Sequence, residues 1–421
     1  MFADTPLADR TFSLSALISP TSAENFFNHF WEKQPLIINR GDPETYRNVL
    51  SLDDVDRVLT TLNLRYPEIR LANIKETPKS EDYTFGDGRI DIVAVSKLFA
   101  GGVTIILDHM QRRIPALGTL CRDLETELGT TFSTNLYLTP PHGGGFKVHY
   151  DTHDVFILQV AGSKEWVLFE SPIALPMTGQ HHEESGTAPG KETHRFTLRT
   201  GDIAYIPRGI YHQAYASDDL SLHITLGAMV KTWCELMLEA VSELSLRDID
   251  FRRALPIGFE TGKFDHSQAA KEFQTLVHRI VESADFEATA NEFRREFART
   301  RTSLLRDQLL QMSQLKSLCA ESIVVARSGG TYPIERLGDK VVVYHSNRVI
   351  EFPALSEKGL RILLAGTQMR VADIDCDMDL LGKLALARRL IEEGLLRTIH
   401  HPIQMRRTFK SKRGEARNRR A

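Results

Sequence analysis

The stretch that decides the fold runs from Asn135 to Trp166 and reads Asn-Leu-Tyr-Leu-Thr-Pro-Pro-His-Gly-Gly-Gly-Phe-Lys-Val-His-Tyr-Asp-Thr-His-Asp-Val-Phe-Ile-Leu-Gln-Val-Ala-Gly-Ser-Lys-Glu-Trp. Its centre is His149-Tyr-Asp151. Successive side chains of a β-strand point to opposite faces, so the pattern predicts that His149 and Asp151 share one face of a strand. An imidazole and a carboxylate in that arrangement can hold two adjacent positions of one metal ion.

A third metal ligand is predicted at His212, which ends the segment Gly201-Asp-Ile-Ala-Tyr-Ile-Pro-Arg-Gly-Ile-Tyr-His212. In this segment Gly-Asp turns the chain into a strand and Pro-Arg-Gly turns it again. Two histidines and one aspartate leave three open positions on an octahedral ion, the arrangement that non-haem Fe(II) oxygenases use. An isolated His-x-Asp is common by chance, so the surrounding residues carry the argument.

Polar residues on predicted strands surround this motif. Lys164 follows His149 by 15 residues, after an apolar run and a Gly-Ser turn, and we expect it to reach into a closed sheet and pair with an anionic ligand. Asn135, Tyr137 and Thr139 alternate with leucines and therefore share one face. Polar side chains inside a small barrel need a partner or a ligand. The pattern is hard to explain as the packing of a core alone.

Together these segments resemble the Jumonji-C, cupin-like 2-oxoglutarate oxygenases. Within that family they are most similar to the ribosomal oxygenases, which hydroxylate side chains of ribosomal proteins. The resemblance rests on Asn-x-Tyr-x-Thr-Pro, His-x-Asp, Asp-Val-Phe-Ile-Leu-Gln, Gly-Ser-Lys-Glu-Trp and Gly-Asp-x-x-Tyr-Ile-Pro-Arg-Gly-x-x-His, which occur in order before residue 230. His142, inside the glycine run, departs from the pattern and has no assigned role.

The resemblance implies a mixed α and β fold, with a double-stranded β-helix (a cupin or jelly-roll barrel) as the catalytic part. It also implies roles for seven residues. Three would hold Fe(II), namely His149, Asp151 and His212. Four would contact the cosubstrate 2-oxoglutarate, namely Lys164, Tyr137, Asn135 and Thr225. O2 would be the oxidant.

The resemblance and the element pattern together predict four parts of the chain. These are a catalytic domain over residues 1–230, a helical dimerisation domain over 231–325, a winged-helix-like domain over 326–405 and a basic tail over 406–421. Long amphipathic helices are predicted over 232–246 and 264–315, because apolar residues recur there at helical spacing. A hairpin is predicted over 340–352, followed by two helices and a strand.

Composition places the chain among globular proteins. Its 421 residues favour two or three domains, and its 42% apolar and 25% charged content is ordinary. No run approaches the roughly 18 apolar residues of a membrane helix, and the first ten residues lack the features of a signal peptide. The four cysteines are scattered without zinc or disulfide spacing. We therefore expect a cytoplasmic protein that does not associate with membranes.

Two polar segments are interpreted as solvent-exposed rather than as ligand-binding sites. The tail from Arg406 carries a balance of +7, against −10 for the remaining chain, which predicts a solvated tail. Contact with nucleic acid is expected, if at all, only through this tail. The segment from Glu170 to Thr200 contains His181, His182 and His194, and we expect a polar loop that could act as a lid rather than a second metal site.

The sequence therefore predicts an Fe(II)- and 2-oxoglutarate-dependent dioxygenase that hydroxylates an amino-acid side chain of a protein, such as a ribosomal protein, or of a peptide. Two alternatives stay open within the enzyme class, which are tailoring of a small peptide natural product and demethylation through hydroxylation of an N-methyl group. The alternative from another class is a non-catalytic cupin joined to a winged helix, which would act as a regulator. A homodimer is expected through the helical segment.

Overall fold

The computed structural model describes residues 12–182, 186–301 and 303–399. Contacts divide the chain into two compact units. The first comprises the chain up to Leu304 together with Ser328–Pro333 and Val343–Ile350, and the second comprises Leu305–Arg327, Ile334–Val342 and the chain from Glu351 onward. The predicted functional boundaries at 230 and 325 stay predictions, and the basic tail lies outside the described residues.

Sixteen strands are present in the described ranges. They are β1 (Leu36–Ile38), β2 (Ile69–Ala72), β3 (Thr104–Leu107), β4 (Thr131–Thr139), β5 (Asp154–Ala161), β6 (Ser163–Phe169), β7 (Glu192–Arg199), β8 (Ile203–Ile206), β9 (Tyr211–Ala216), β10 (Ser221–Met229), β11 (Ile323–Ala326), β12 (Ile334–Leu337), β13 (Lys340–His345), β14 (Arg348–Pro353), β15 (Met369–Arg370) and β16 (Leu396–Thr398).

Eleven α-helices accompany them in the same ranges. They are α1 (Leu14–Leu17), α2 (Ala23–His29), α3 (Leu52–Thr61), α4 (Ile92–Ala100), α5 (Pro115–Leu128), α6 (Trp233–Arg247), α7 (His266–Ser283), α8 (Phe286–Thr300), α9 (Gln308–Gln314), α10 (Glu357–Leu364) and α11 (Leu380–Glu392). No helix in this part of the chain combines the length and the apolar character needed to cross a bilayer.

Two antiparallel sheets build the barrel of the first unit. The large sheet has the order β1-β8-β5-β10-β4-β3-β2, and the small sheet has the order β7-β6-β9. Val155 and Ile157 of the large sheet pack in one apolar cluster with Trp166 and Leu168 of the small sheet, so the two sheets face each other. This mixed α and β architecture with antiparallel sheets confirms the coarse prediction of the fold.

The outer face of the large sheet packs beneath helices. Side chains from β4, β5 and β10, such as Leu136, Phe156 and Ile224, belong to a second, larger apolar cluster. Phe26 of α2 is completely buried there, with its ring centroid 5.8 Å from Phe156 and 4.9 Å from Tyr205. The N-terminal aromatic residues therefore pack, as the sequence indicates, and the barrel interior is left to other side chains.

Several predicted helix ends require small corrections. The cap of α2 is Ser22, whose hydroxyl accepts from the Asn25 amide. Thr232 and Glu235 do form a capping box that begins α6. The helical segment expected over 264–315 is three helices, α7, α8 and α9. The Asp285 carboxylate accepts from the Ala288 amide and caps α8, whereas Asp307, before α9, has a φ of 64° and makes no side-chain cap bond. Aspartate before a helix favours a start at that point, and helical periodicity alone does not reveal it.

The elements predicted from Lys340 onward occur in the predicted order, with Val343–Ile350 of the hairpin assigned to the first unit and both helices and the last strand to the second. Strand β11 lies between β15 and β16, and α11 begins after Asp379, whose carboxylate accepts from the Gly382 amide. Gly394, with a φ of 75°, follows the end of α11 and precedes β16. The hairpin of β13 and β14 is confirmed, and its turn places Ser346 and Asn347 at positive φ.

The loop predicted between Glu170 and Thr200 is shorter in the structure, because its last part is a strand. Residues 192–199 form β7, which pairs along β6 and includes the exposed His194. Most side chains of β7 are exposed, and polar and apolar residues alternate only weakly along it. The strand could therefore not be predicted from the sequence pattern.

Candidate functional site

The three predicted metal ligands lie together in the barrel. One ligand atom from each of His149, Asp151 and His212 can be chosen so that all three atoms are within 4.8 Å of one another. The Nε2 atom of His212 is 3.7 Å from Oδ2 of Asp151, and the two imidazole centroids are 4.5 Å apart. Among the described residues this is the one cluster of three or more such side chains with metal-binding spacing.

The chain around His149 and Asp151 is less regular than the sequence predicts. His149 forms an isolated bridge with His212, through His212 N–H to His149 O at 2.7 Å and His149 N–H to His212 O at 3.2 Å. Asp151 lies outside any regular strand, and its carbonyl accepts from the Gly209 amide at 2.9 Å. The backbone before β5 is therefore fixed by contacts with the turn before β9 rather than by a continuous ladder.

Each imidazole is oriented by its own backbone. Nδ1 of His149 lies 2.8 Å from the Lys147 carbonyl, and Nδ1 of His212 lies 3.0 Å from the Ile210 carbonyl. A carbonyl can only accept, so Nδ1 carries the proton in both rings and Nε2 keeps its lone pair. Histidine ligands of protein metal sites are oriented by this kind of bond.

Burial and charge also prepare the three side chains for a cation. Burial lowers the pKa of His212 to about 4, with a further contribution from His149, so the ring is neutral near pH 7. Burial alone would raise the pKa of Asp151, but His153, His212 and His149 outweigh it and hold that pKa below its ordinary value. Two imidazoles and one carboxylate form a donor set suited to a divalent metal.

A buried ion pair joins the two segments that carry the ligands. Arg208, in the turn before His212, contacts Oδ2 of Asp154 at 2.8 Å, and Asp154 begins β5 just after Asp151. The Tyr205 hydroxyl donates to the same carboxylate at 2.7 Å. The side chain of Asp154 is fully buried. Its contacts with the Arg208 guanidinium, the Arg208 amide and the Tyr205 hydroxyl offset the cost of removing its charge from water.

Lys164 lies in the same cavity as the triad. Only 3% of its surface is exposed, and its ammonium donates to the Thr139 hydroxyl at 3.1 Å. No carboxylate of the described residues pairs with it, and burial lowers its pKa to about 7. A buried cation without a counter-ion is unfavourable, so the cavity favours an anionic ligand at this place.

The other three residues predicted to contact 2-oxoglutarate are Tyr137, Thr225 and Asn135, and they do not all lie in the wall of this cavity. Tyr137 and Thr225 line the cavity, while Asn135 does not. The Asn135 side chain accepts from the His109 amide at 3.1 Å, and its nearness to the Tyr137 hydroxyl lowers the pKa of that group slightly. Burial raises the pKa of Tyr137, which leaves its phenol protonated and able to donate.

Two residues that line the cavity were missed from the sequence. His223 faces Tyr137 across β4 and β10, with ring centroids 4.7 Å apart and planes within 2°. Trp166 follows Lys164 by two positions on β6 and therefore shares its face. The signal was present, since His223 precedes Thr225 by two residues on a strand, but the pairing of β10 with β4 and β5 was needed to interpret it.

A larger cavity of about 800 Å³ is lined in part by residues that follow Asp151 in the chain. Its wall includes Thr152 and His153, the two residues after Asp151, together with Met177 from the loop after β6. Phe293 and Phe297 of α8 line another side. The cavity is large enough for a side chain with flanking backbone.

The remaining histidines are not part of the metal cluster. His142 is largely exposed, with Nδ1 3.7 Å from an oxygen of Asp218. The His182 ring packs edge-on against the rings of Tyr150 and Tyr211, at 5.7 and 5.4 Å, so it is less solvated than the sequence suggested. His181 is exposed.

Comparisons with known sequences agree with this site. Residues 107–236 match the JmjC domain family. The chain is similar to mouse ribosomal oxygenase 2, with 27% identity over 91% of both chains. It is also similar to the bifunctional lysine-specific demethylase and histidyl-hydroxylase NO66 of Dictyostelium discoideum, with 32% identity over 58% of this chain and 49% of that one. The chain therefore spans about half the length of that second relative.

Solved structures show the same fold. The crystal structure of the Escherichia coli ribosomal oxygenase YcfD superposes with a TM-score of 0.53 and 17% identity, over 90% of this chain and 98% of that one. A structure of the same protein is described as a complex with cobalt and 2-oxoglutarate, with a TM-score of 0.52 and 18% identity over 89% of this chain and 97% of that one. The predicted resemblance is confirmed: residues 107–236 match the JmjC domain, the described residues bring together a His-Asp-His cluster, and the chain is an Fe(II)- and 2-oxoglutarate-dependent oxygenase.

Proposed function

We propose that this enzyme hydroxylates an amino-acid side chain of a protein or peptide. His149, Asp151 and His212 would hold Fe(II), and Lys164 would pair with the distal carboxylate of 2-oxoglutarate. Tyr137 would donate its hydroxyl to the cosubstrate, with Asn135 holding the phenol in place. Thr225 would complete the pocket wall. When bound, the iron with 2-oxoglutarate and O2 supplies the oxidation of a C–H bond, and 2-oxoglutarate leaves as succinate and CO2.

The observation that supports this proposal most strongly is the shared cavity of the triad and Lys164. A regulator with a cupin fold needs neither a cation-binding triad nor a buried, uncompensated ammonium. A 2-oxo acid that also carries a distal carboxylate satisfies both, because its oxo-acid end ligates a metal and its other end is an anion. The two groups therefore support one ligand that spans them.

The chain contributes orientation and exclusion of water. The Lys147 and Ile210 carbonyls keep the ligating Nε2 atoms turned inward. Tight packing of Trp166 against His223, with ring centroids 5.5 Å apart, closes the side of the cavity near Lys164. A dry, preorganised site strengthens each electrostatic contact within it.

The substrate class is inferred from the relatives and from the larger cavity. A cavity of about 800 Å³ lined by residues 152 and 153 is large enough for a side chain presented by a folded or extended protein. Relatives named ribosomal oxygenases make a ribosomal protein the first substrate to test. Tailoring of a small peptide would use the same cavity.

Demethylation is the second candidate, because a relative is named both a lysine-specific demethylase and a histidyl-hydroxylase. Hydroxylation of an N-methyl carbon would use the same metal site and release the methyl group as formaldehyde. The mass of the product separates the two outcomes. Hydroxylation adds one oxygen atom, whereas demethylation removes a CH2 unit.

We also propose that the chain is a homodimer. Helices α6 and α7 leave large apolar side chains exposed, including Trp233 at 71% and Val281 at 81%, and Ile257 between them is 98% exposed. Apolar surface of this kind marks an interaction site more often than free surface. The winged-helix-like unit over 326–405 would contact protein, the tail alone would contact nucleic acid, and the enzyme would act in the cytoplasm.

The experiment that tests the function uses full-length, Fe(II)-loaded protein with 2-oxoglutarate and O2. Succinate formation should require the metal and rise when the correct protein substrate is added. Candidate ribosomal proteins are then incubated with the enzyme and their intact masses compared. Absence of succinate with every candidate and with 2-oxoglutarate alone, from a folded and metal-loaded sample, would contradict the proposal.

A further inference from the structure

Two buried nitrogen atoms near Lys164 have no hydrogen-bond partner. They are Nδ1 of His223 and Nε1 of Trp166, on residues that are 2% and 5% exposed. Both residues line the cavity that contains the triad and Lys164. Buried polar groups in proteins are nearly always paired, so two unpaired nitrogens around one cavity indicate a missing acceptor.

Packing fixes the orientation of both side chains. The His223 ring is stacked on Tyr137, and β10 holds it opposite Gln159 of β5 as well. The Trp166 ring meets His223 edge-on, with planes at 77°. Neither ring can rotate far without breaking these contacts, so a partner must come to them.

The chemistry of the unpaired atoms is that of donors. An indole nitrogen can only donate, and an ammonium such as that of Lys164 can only donate. Burial and the nearby Lys164 charge lower the pKa of His223 well below its ordinary value, so its neutral ring has one N–H and one lone pair, and an anionic acceptor beside Nδ1 would favour the tautomer with the proton on Nδ1. A carboxylate accepts about four hydrogen bonds and is the ligand group that suits three donors around one space.

We propose that His223 and Trp166 donate hydrogen bonds to the distal carboxylate of 2-oxoglutarate beside Lys164, and so make the enzyme selective for an oxo acid with a carboxylate at its far end. The inference rests on the proposed function, since it assigns two more contacts to the same cosubstrate. Lys164 supplies the positive charge that attracts the carboxylate, and the two ring nitrogens supply directional hydrogen bonds that orient it. An oxo acid without the second carboxylate would leave the Lys164 charge without a counter-ion and the two ring nitrogens without an acceptor.

The test measures binding rather than turnover. Fe(II)-loaded full-length protein is titrated anaerobically, by calorimetry, with 2-oxoglutarate and with 2-oxopentanoate, which has the same carbon chain but no distal carboxylate. The variants are Trp166→Phe and His223→Phe, which keep an aromatic ring and remove the nitrogens. Trp31→Phe and His194→Phe are matched controls, because Trp31 stacks on Tyr205 outside the barrel and His194 is exposed on β7.

Each cavity variant should bind 2-oxoglutarate about tenfold more weakly, which is the usual effect of losing one hydrogen bond to a charged group. Binding of 2-oxopentanoate should stay within about twofold of wild type. The control variants should bind both acids as the wild type does. Testing the two residues separately keeps the proposal falsifiable if one variant fails to fold.

Unchanged 2-oxoglutarate affinity in a folded variant of either residue would overturn the assignment of that residue. An equal loss for both acids would also overturn it, because it would show a structural role. A wild-type protein that binds neither acid would instead contradict the proposed function, and the inference would fall with it. Weak binding of 2-oxoglutarate confined to the cavity variants supports the proposal.

Discussion

The two faces of the large sheet differ in chemistry, because the inner face places polar side chains beside its apolar cluster. On the outer face Leu136, Phe156 and Ile224 pack into the main apolar cluster. On the inner face of the same strands Tyr137, Gln159 and His223 turn polar atoms toward the barrel, and Oε1 of Gln159 and Nδ1 of His223 lack partners. The outer face stabilises the fold, whereas the inner face holds groups that only a ligand would satisfy.

The sharpest way to separate the faces is to remove a ligand from the inner side. Asp151→Ala should abolish turnover, because the metal loses its carboxylate, while the free energy of unfolding stays within about 1 kcal/mol of wild type. Succinate formation and urea unfolding measure the two effects. Asp218→Ala is the matched control, since it also removes an aspartate carboxylate, but one that is 96% exposed and is not part of the triad. Full turnover by Asp151→Ala would remove this residue from the triad.

The converse change breaks the outer face. Phe156→Ala should lower the free energy of unfolding by about 3–5 kcal/mol, because it removes a completely buried ring from the main cluster. The folded fraction should keep the wild-type affinity for 2-oxoglutarate. Phe85→Ala, at a ring that is 48% exposed, should change stability by no more than about 0.5 kcal/mol. A loss of cosubstrate affinity as large as the loss of stability would show that the two faces are not independent.

Lys164 tests the inner face through its charge. Losing one partner of a buried charge pair costs about 2–5 kcal/mol, so Lys164→Ala should raise the concentration of 2-oxoglutarate required by at least about tenfold. Iron should still bind, because no triad atom is removed. Lys164→Arg should retain part of the affinity, since it keeps the charge but changes the geometry. The Michaelis constant for 2-oxoglutarate measures both variants, and an unchanged value in Lys164→Ala would contradict the pairing.

The smallest expected effect is a pH dependence of stability. Burial lowers the pKa of Lys164 from 10.5 to about 7, so between these values the unfolded chain binds more protons than the folded chain. Stability of the ligand-free protein should therefore rise with pH in this window, by at most about 1.4 kcal/mol per pH unit. Below about pH 7 both states are protonated and the slope from this residue disappears. The free energy of unfolding, measured with urea at several pH values, should rise more steeply with pH in the wild type than in Lys164→Met. Equal dependence on pH in the two proteins would contradict the lowered pKa.

The inner face shows what could be predicted from sequence and what could not. His149, Asp151, His212 and Lys164 were identified because a short motif and strand alternation bring together residue types that rarely combine by chance. His223 and Trp166 escaped notice because their significance depends on which strands pair. A histidine on a strand is usually a satisfied core residue until its neighbours are known.

Element boundaries show the same limit. The metal-binding segment was predicted as a strand, but a local bridge and the Gly209 contact hold it instead. The strand β7 was hidden because its residues are mostly exposed on a mainly polar face. Periodicity reports burial on one face, so it misses a strand such as β7, whose side chains are mostly exposed.

The central claim is that the triad and Lys164 hold opposite ends of one 2-oxoglutarate molecule. Its most direct test is the affinity for 2-oxoglutarate measured anaerobically with and without Fe(II), in wild type, Asp151→Ala and Lys164→Ala. We predict that the metal strengthens binding in wild type, that each ligand raises the affinity for the other by the same factor, and that Asp151→Ala loses this coupling. Lys164→Ala should keep the coupling but bind more weakly. Equal affinity with and without Fe(II) in the wild type would contradict the claim.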